Sequence, residues 1–198
     1  MDISIIDKIS KKLRISSVGI AGIGGLGSNA AIALVRAGVG RLVLIDFDTV
    51  EEKNLDRQYF FLDQVGKLKT TAIKENIERI NPETIVETFE IKLEKGSMEK
   101  HLMDVDVIIE ALDSAEMKTL FIEEIIEKLP NKPIIAASGI TGYGHCERFH
   151  TKKLGNLHMC YDEQAKSSDE DFLFAPRVAI AANWEANLAL ELLLGKDK

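Results

Sequence analysis

Residues 22–28 read Gly-Ile-Gly-Gly-Leu-Gly-Ser, and the predicted fold can be built outward from this stretch. An apolar run at 17–21, Ser-Val-Gly-Ile-Ala, comes directly before it and has the composition of a buried strand. A helical pattern follows it. Glycine permits a sharp turn from strand to helix and lets the backbone approach nucleotide phosphates closely. The stretch therefore predicts a nucleotide-binding turn, with an ordinary strand-to-helix turn as the alternative interpretation.

The end of the second predicted strand carries an acidic residue. Leu42–Ile45 forms a second apolar run, and Asp46 follows it, 24 positions after Gly22. In dinucleotide-binding folds an acidic side chain at this place accepts hydrogen bonds from the ribose hydroxyls. The glycine-rich turn and Asp46 together therefore favour nucleotide binding over a turn with an acidic helix cap.

Short apolar runs alternate with longer helical patterns along the chain, which is typical of a parallel sheet covered by helices. We therefore predict a Rossmann-like α/β fold, with a mostly parallel sheet, helices on both faces and last strands that could run antiparallel. Further strands are predicted at 85–90, 105–110, 133–137 and 143–149. Helices are predicted at 1–14, between the first two strands, and at 66–80, 97–103, 115–129 and 176–194.

The composition of the 198-residue chain is that of one globular domain, with 45% hydrophobic and 29% charged residues. Its net charge of −7 and its lack of a basic tract argue against a nucleic-acid partner. The sequence has no uncharged stretch of membrane-spanning length and no basic segment leading into an apolar run. We therefore expect a cytoplasmic protein without membrane contact. The cysteines are Cys146 and Cys160, too few for a disulfide framework.

Two cations and one carboxylate narrow the choice of nucleotide. Arg57 lies in the long polar stretch after Asp46, and Lys69 begins the next predicted helix. Either alone could be a surface charge, but the pair suits a triphosphate, because a nicotinamide cofactor carries only a pyrophosphate that the helix N-terminus already serves. Asp113 follows the strand at 105–110, where such sheets bind ligands, and can hold Mg²⁺. The alternative role for Asp113 is a helix N-cap.

Several ordered motifs closely resemble the ThiF/MoeB/HesA family, which is related to ubiquitin-activating enzymes. They are GIGGLGS at 22–28, DFDTV at 46–50, NLDRQ at 54–58, GKLK at 66–69, LDS at 112–114, RINP at 79–82 and APR at 175–177. The match runs from about Val18 to Gly195, and the NLDRQ element is highly specific. Within the family, short ThiF-like proteins that adenylylate the sulfur carrier ThiS look nearest.

The resemblance implies a role for each matching residue. The nucleotide loop would be formed by Gly22, Gly24, Gly25 and Gly27. Asp46 would bind the ribose, with Asp48 beside it. The phosphates would be held by Asn54, Arg57 and Lys69, and Gln58 would also belong to the cofactor-binding site. Arg57 and Lys69 would also stabilise charge as pyrophosphate leaves, and Asp113 would position Mg²⁺.

The same resemblance implies an activity and a set of partners. The enzyme would use ATP and Mg²⁺ to adenylylate the C-terminal Gly-Gly carboxylate of a small ubiquitin-like sulfur carrier protein, in thiamine biosynthesis. In-line attack of that carboxylate on the α-phosphorus needs positioning and positive charge more than an acid or base. A homodimer is also implied.

The cysteines depart from the family pattern. Many members carry two Cys-x-x-Cys pairs that bind structural zinc, and this sequence has none. Cys146 lacks zinc-finger spacing to other ligands and is expected on the opposite face of a strand from His145, so we expect no structural zinc. Many relatives also have a cysteine shortly before the Ala-Pro element, where residues 167–171 here read Ser-Ser-Asp-Glu-Asp. Cys160 is expected to be a bystander thiol, with a covalent or sulfur-transfer role as the alternative.

Three segments complete the prediction of a single adenylation domain over residues 1–198. Residues 1–14 are expected to form an N-terminal amphipathic helix that packs on the core. Residues 151–175 have few apolar anchors and are expected to form a mobile crossing loop, beneath which a carrier tail would pass. Residues 138–142 either line that path or form a plain loop at a strand end.

Two other functions remain open at this point. An NAD-linked oxidoreductase would share the glycine-rich turn and Asp46 but would not need Arg57 or Lys69. A non-catalytic nucleotide-binding scaffold would keep the fold without the chemistry, which the missing cysteines and zinc pairs leave possible.

Overall fold

The computed structural model describes residues 3–166 and 170–195 as an α/β fold with five α-helices and seven strands in these ranges. The helices are α1 (Ile3–Arg14), α2 (Gly25–Ala37), α3 (Lys69–Ile80), α4 (Ala115–Lys128) and α5 (Ala175–Leu194). The strands are β1 (Ser17–Ala21), β2 (Arg41–Ile45), β3 (Ile85–Phe89), β4 (Val107–Glu110), β5 (Ile134–Ser138), β6 (His150–Leu154) and β7 (Leu157–Tyr161).

The strands form one sheet in the order β3-β2-β1-β4-β5-β7-β6. Every neighbouring pair is parallel except β6 and β7, which form an antiparallel hairpin at the edge. The strand order reverses direction between β1 and β4, and ligands bind at this point in open α/β sheets. The predicted Rossmann-like fold with antiparallel last strands is therefore confirmed.

The central strands bury side chains on both faces, which explains their continuous apolar sequences. In β2, Leu42 and Leu44 pack with the apolar side chains of α2, α3 and α5, whereas Val43 and Ile45 pack with those of α4 and the segment 93–105. Two cores on opposite faces of the sheet therefore fix its strands, and with them the edge formed by the carboxyl ends of the parallel strands.

The N-terminal helix is present, but most of its apolar face is not buried. Leu13 is 4% exposed, whereas Ile5, Ile6 and Ile9 are 38% to 49% exposed. The expected packing on the core therefore holds at Leu13 alone among these four. None of the helices among the described residues is both long and apolar enough to cross a membrane.

The helix predicted at 97–103 is wrong, because this segment forms consecutive turns. Met98 and Leu102 are fully buried beneath the sheet, which accounts for the helical spacing in the sequence. The Glu124 carboxylate of α4 accepts hydrogen bonds from the N–H groups of Gly96 and Met98. A segment this short gains little from helix formation, so tertiary contacts decide its conformation.

The strand predicted at 143–149 is also wrong. This segment is a loop that contains a short 3₁₀ turn, Cys146–Arg148, because Gly142, Gly144 and His145 have positive φ angles that a strand does not allow. The two strands of the hairpin follow instead, at 150–154 and 157–161. Residues 151–161 of the predicted crossing loop therefore belong to the sheet, and residues 167–169 of that loop lie outside the described residues.

A carboxyl group lies in the core beneath β7 without a hydrogen-bond partner among the described residues. Glu185 of α5 is completely buried, and within the described part of the chain neither of its carboxylate oxygens has a hydrogen-bond partner. Burial raises the pKa of Glu185 well above its usual range, the charge of Glu110 raises it further, and the charge of Lys118 opposes this only partly. The side chain is therefore held in its neutral form in the folded state.

We predict that Glu185→Gln changes how stability depends on pH. Above its ordinary pKa, glutamate ionises in the unfolded chain while Glu185 stays neutral in the folded protein, so the free energy of unfolding of the wild type falls as pH rises. Glutamine does not ionise, so this contribution to the pH dependence is absent from the variant. The denaturation midpoint of the variant should therefore exceed that of the wild type by a margin that grows from pH 5 to pH 8.

The matched control is the variant Glu123→Gln, which replaces an exposed glutamate of α4. Its denaturation midpoint should show no such trend with pH. Parallel pH profiles of the Glu185 variant and the wild type would contradict a neutral buried carboxyl group.

Candidate nucleotide-binding active site

The carboxyl ends of β1, β2, β4 and β5 open onto one cavity of about 1160 Å³. This volume exceeds the usual 300–1000 Å³ of a small-molecule site. Most of the residues predicted for the site line the cavity: Gly22, Gly24, Gly25, Asp46, Asp48, Asn54, Arg57, Gln58, Lys69 and Asp113. The fold thus gathers at one edge of the sheet side chains that are far apart in the sequence.

The glycine-rich turn packs too tightly for larger residues. Gly22 has φ +92°, and a Cβ there would lie 2.5 Å from the Ala111 carbonyl oxygen. A Cβ at Gly27 would lie 1.9 Å from the Gly22 carbonyl oxygen, so Gly27 lets α2 pack against the turn and does not itself line the cavity. Gly24 is the N-cap of α2 and provides no side-chain hydrogen bond to it. Backbone N–H groups at the start of α2 therefore face a site suited to phosphate.

Asp46 joins the turn to the end of β2. Its carboxylate accepts hydrogen bonds from the N–H of Ile23 at 2.6 Å and from the N–H of Asp48 at 2.8 Å. Burial raises the pKa of Asp46, while these two N–H groups and the charge of Lys69 lower it. A carboxylate has about four lone-pair positions, so Asp46 can hold the turn and still accept a ribose hydroxyl.

Lys69 is held by Asp48. Its Nζ lies 2.7 Å from the Asp48 carboxylate, and its side chain is only 8% exposed. Lys69 is also the first residue of α3, where a cation is disfavoured by the helix dipole. A buried cation in this unfavourable position, on the wall of a cavity, is typical of a site for an anionic ligand.

Arg57 also lines the cavity, and its side chain is more exposed than that of Lys69. Its Nη1 donates to Asp56 at 2.7 Å, but that carboxylate is 62% exposed. Exposed ion pairs contribute at most about 1 kcal/mol, so a phosphate can compete for this guanidinium. The backbone of Arg57 is fixed by Asn29 of α2, whose side-chain amide donates to the Arg57 and Gly25 carbonyl oxygens. Asn29 was not predicted, since asparagine inside a helix has no signal of its own.

Asn54 and Gln58 lie next to Arg57 and differ in what they offer a ligand. The Asn54 carboxamide oxygen accepts a hydrogen bond from the N–H of Glu51 and so shapes the turn at 52–54. The Gln58 side-chain oxygen is buried and has no partner among the described residues. Its amide nitrogen would be 3.8 Å from a Cβ on Gly24. This orphaned acceptor beside the glycine-rich turn fits a ligand that carries donor groups.

Asp113 is exposed on the cavity wall after β4. The N-cap of α4 is Ser114, whose hydroxyl accepts a hydrogen bond from the N–H of Met117, so the alternative role of Asp113 as the cap is wrong. Within residues 3–166 and 170–195, no group of three or more His, Cys, Asp or Glu side chains is arranged to hold a metal ion. A metal ion at Asp113 would therefore need oxygen ligands from a nucleotide or from water.

A further cation in the cavity was missed by sequence reasoning. Lys118 of α4 lines the cavity, and its Nζ lies 2.8 and 3.0 Å from the two carboxylate oxygens of Glu110. Glu110 is fully buried at the end of β4, which raises its pKa, whereas Lys118 opposes that shift. No sequence signal joins these two residues, because the strand-to-helix connection alone brings them together.

The outer wall of the cavity is formed by residues 138–141 and by part of the segment 161–166. Residues 138–141 therefore line the cavity, whereas Gly142 of the predicted segment 138–142 does not, and the path of a carrier tail along them stays a prediction. Asp162 forms a buried ion pair with Arg177 of α5, with side chains 2% and 5% exposed. Arg177 also donates to the Gly144 carbonyl oxygen and lies 4.5 Å from the Phe149 ring centre. This ion pair fixes the outer wall to the start of α5.

The two cysteines lie in different environments. Cys160 is fully buried in the core that faces α5, and burial raises the pKa of its thiol well above the usual range. Cys146 is exposed on the turn 146–148. Neither cysteine lines the cavity, and only a thiolate is an effective nucleophile.

The fold and the cavity define a Rossmann-like α/β protein with several cations at the carboxyl edge of its sheet. A model of the ThiF family matches residues 3–198, and the chain belongs to this family, as the sequence motifs predicted. Molybdopterin-synthase adenylyltransferase of Haemophilus influenzae is 30% identical over 194 residues, which cover 94% of this chain and 79% of that protein. Four other curated relatives are longer, and the chain spans between 19% and 43% of their length.

Solved structures agree with this assignment. The E. coli tRNA N6-threonylcarbamoyladenosine dehydratase, TcdA, in complex with ATP has a TM-score of 0.86 and 22% identity, over 95% of this chain and 89% of that chain. This likeness shows the fold. The structure of E. coli MccB with ATP has a TM-score of 0.74 and 26% identity, over 93% of this chain and 57% of that chain.

We predict that Asp162→Asn lowers the free energy of unfolding by about 3–5 kcal/mol, because it leaves a buried guanidinium without its counter-ion. Denaturant unfolding measures this loss. The double variant Asp162→Asn/Arg177→Met should recover much of it, since no buried charge remains. A loss below about 1 kcal/mol in the single variant would show that the pair does not fix the outer wall.

Proposed function

We propose that this protein binds ATP and adenylylates the C-terminal carboxylate of a small ubiquitin-like carrier protein that ends in Gly-Gly, with release of pyrophosphate. One observation carries the proposal. A glycine-rich turn with an uncapped helix N-terminus faces the same cavity as Arg57 and Lys69, and that cavity extends to residues 138–141. It offers a phosphate site, extra cations for a triphosphate and room for a second substrate.

The placement of the nucleotide follows from the walls of the cavity. The ribose would lie against Asp46, and the phosphates would run past the start of α2 towards Arg57 and Lys69. The side-chain N–H groups of Asn54 and Gln58 would donate to the phosphates, and the Gln58 oxygen would accept from a donor group elsewhere on the nucleotide. The solved structure of E. coli MccB with ATP, at 26% identity, supports a nucleotide in this fold.

The reaction itself needs charge and alignment. A carboxylate oxygen of the carrier attacks the α-phosphorus of ATP, and the bond from that phosphorus to the bridging oxygen breaks as pyrophosphate leaves. Arg57 and Lys69 stabilise the negative charge that develops on the leaving group. Lys118, fixed by Glu110, adds a further positive charge to the same cavity, to which the incoming carboxylate would be attracted.

Asp113 would hold Mg²⁺ together with phosphate oxygens, either directly or through water. The exposed carboxylate after β4, free of the helix-capping role, fits this function. When bound, Mg²⁺ neutralises charge on the phosphates of ATP.

The carrier tail would enter along residues 138–141 and the segment 161–166. Gly139 lies on this wall, and a Cβ there would be 2.3 Å from the Asp162 carbonyl oxygen. Glycine has no side chain, so a tail of glycine residues could pass along this wall and approach the α-phosphate closely. We propose a ThiS-like carrier of thiamine biosynthesis as the first candidate, and the relative from Haemophilus influenzae makes a molybdopterin-type carrier the second.

Two further parts of the proposal concern other chemistry and assembly. Adenylylation needs no cysteine, and Cys160 is too deeply buried to attack an adenylate without a change of structure.

We also propose a homodimer in the cytoplasm. The exposed isoleucines of α1, Ile5, Ile6 and Ile9, would be covered in such an assembly.

We predict that Arg57→Ala lowers carrier-dependent ATP–pyrophosphate exchange about 10²- to 10³-fold, as expected for loss of one preorganised group that stabilises the transition state. Lys53→Ala is the matched control, since Lys53 lines the same cavity but its side chain is 72% exposed. It should change the rate less than threefold.

Three other outcomes would count against the proposal. Unchanged exchange in the Arg57 variant would remove the proposed role of that cation. Tight NAD(H) binding with hydride transfer would favour an oxidoreductase, and ATP binding without exchange in the presence of any carrier would favour a non-catalytic scaffold.

A further inference from the structure

The basic side chains that line the nucleotide cavity are of two kinds. Four of them are exposed: Lys53, Lys92, Lys152 and Lys166. Among the described residues, three others are partly or fully buried: Arg57, Lys69 and Lys118. The side chain of Lys118 is 22% exposed, and its partner Glu110 is not exposed at all. A buried ion pair is often no more stable than apolar residues of the same size, so its presence on a cavity wall points to a function.

The Lys118 ammonium is held firmly and still has a donor to offer. Its Nζ lies 2.8 and 3.0 Å from the two oxygens of Glu110, and within the described part of the chain it has no other acceptor. A lysine ammonium carries three N–H groups, so at least one remains for a ligand in the cavity. The geometry is that of a fixed cation with one free donor.

Glu110 is itself fixed by the backbone around it. Its carboxylate also accepts a hydrogen bond from the N–H of Leu112 at 2.7 Å. The Leu112 backbone packs against the glycine-rich turn, since a Cβ on Gly22 would lie 3.1 Å from the Leu112 nitrogen. The position of the Lys118 ammonium is therefore tied, through Glu110, to the turn that faces the proposed phosphate site.

The order of the strands locates this ion pair. Glu110 is the last residue of β4, and it is in register with Ala21 of β1 on one side and Ala136 of β5 on the other. Strand β1 leads into the glycine-rich turn, whereas β5 leads into residues 138–141 of the outer wall. Lys118 is thus bound to the end of the strand that separates the proposed phosphate site from the proposed path of the carrier tail.

We propose that Lys118 is a catalytic residue that donates a hydrogen bond to the C-terminal carboxylate of the carrier, and that Glu110 is its positioning residue. The inference rests on the proposed adenylylation. One carboxylate oxygen accepts from Lys118, and the other forms the new bond to the α-phosphorus. The bond from phosphorus to the bridging oxygen breaks, and its electron pair leaves with pyrophosphate. No proton is transferred.

The carboxylate needs a cation of its own because it approaches the negatively charged phosphates of ATP. Arg57, Lys69 and the start of α2 serve those phosphates in the proposed arrangement, which leaves Lys118 for the second anion. A hydrogen bond between two charged groups is roughly twice as strong as one between neutral groups. The ion pair therefore selects a carrier tail with a free carboxylate over the same tail with a neutral end.

The test compares purified ThiS-type and molybdopterin-type carriers that end in a free Gly-Gly carboxylate with the same carriers ending in a C-terminal carboxamide. Equilibrium binding is measured with the protein saturated with Mg²⁺ and α,β-methylene ATP, which cannot release pyrophosphate. The wild type should bind the carboxylate form about 10- to 100-fold more tightly, as expected for a charge-assisted hydrogen bond.

In Lys118→Met this preference should fall below threefold, while the Kd values for the carboxamide form and for the ATP analogue stay within twofold of wild type. A merely structural role of Lys118 would weaken both forms of the carrier equally. Lys118→Arg, which keeps the positive charge, should retain part of the preference.

Two variants separate the role of Glu110 from stability. Glutamine in Glu110→Gln can still accept from the Leu112 N–H but carries no charge to fix the ammonium, so the preference should fall severalfold. The double variant Glu110→Gln/Lys118→Met has no buried charge at this place. It should therefore keep a thermal midpoint near that of the wild type and still lack the preference.

Lys152→Met is the matched control, because Lys152 is an exposed cation of the same cavity. It should leave the preference for the carboxylate within twofold of the wild-type value. An undiminished preference in Lys118→Met, or equal binding of both carrier forms by the wild type, would overturn the inference and leave the proposed function intact. Absence of carrier-dependent ATP–pyrophosphate exchange in the wild type would overturn the proposed function, and this inference with it.

Discussion

The hydrogen bonds that Asp46 accepts from Ile23 and Asp48 are the constraint on which the rest of the site depends. They tie the glycine-rich turn after β1 to the chain that leaves β2. Asp48 in turn holds Lys69 at the start of α3, so one short stretch positions both the proposed ribose acceptor and one proposed phosphate-binding cation. Since Asp46 is buried, loss of its carboxylate would leave two N–H groups to find new acceptors, and the nucleotide edge would lose its shape.

Three of the cations that line the cavity share a common arrangement. Lys69 is paired with Asp48, Lys118 with Glu110 and Arg57 with Asp56, so each of these three positive groups is positioned by a carboxylate. These pairs differ in exposure, from the fully buried Glu110 to the exposed Asp56. Cations held in this way need little reorganisation when negative charge develops nearby, which is what transfer of a nucleotidyl group requires.

The sequence predicts best those parts of the molecule where one local pattern determines the structure. The runs at 17–21 and 42–45 are apolar on both faces, so their burial in the sheet follows directly. The hairpin was missed because all five residues of β6 are exposed, which removes the alternation that marks a strand. Its two-residue turn, Gly155-Asn156, was the signal that could have located it. Pairs such as Lys118 with Glu110, or Arg177 with Asp162, form only once the sheet and helices are assembled, and no spacing in the sequence predicts them.

The most direct test of the central claim uses a carrier whose C-terminal carboxylate is labelled with ¹⁸O. After incubation with ATP and Mg²⁺, hydroxylamine cleaves the acyl adenylate at the carbonyl carbon and releases AMP, which is analysed by mass spectrometry. If the carrier carboxylate attacks the α-phosphorus in this cavity, the AMP carries one ¹⁸O atom and the Arg57→Ala variant yields almost none. Unlabelled AMP from the wild type would show that water, and not the carboxylate, is the nucleophile, and would contradict the account.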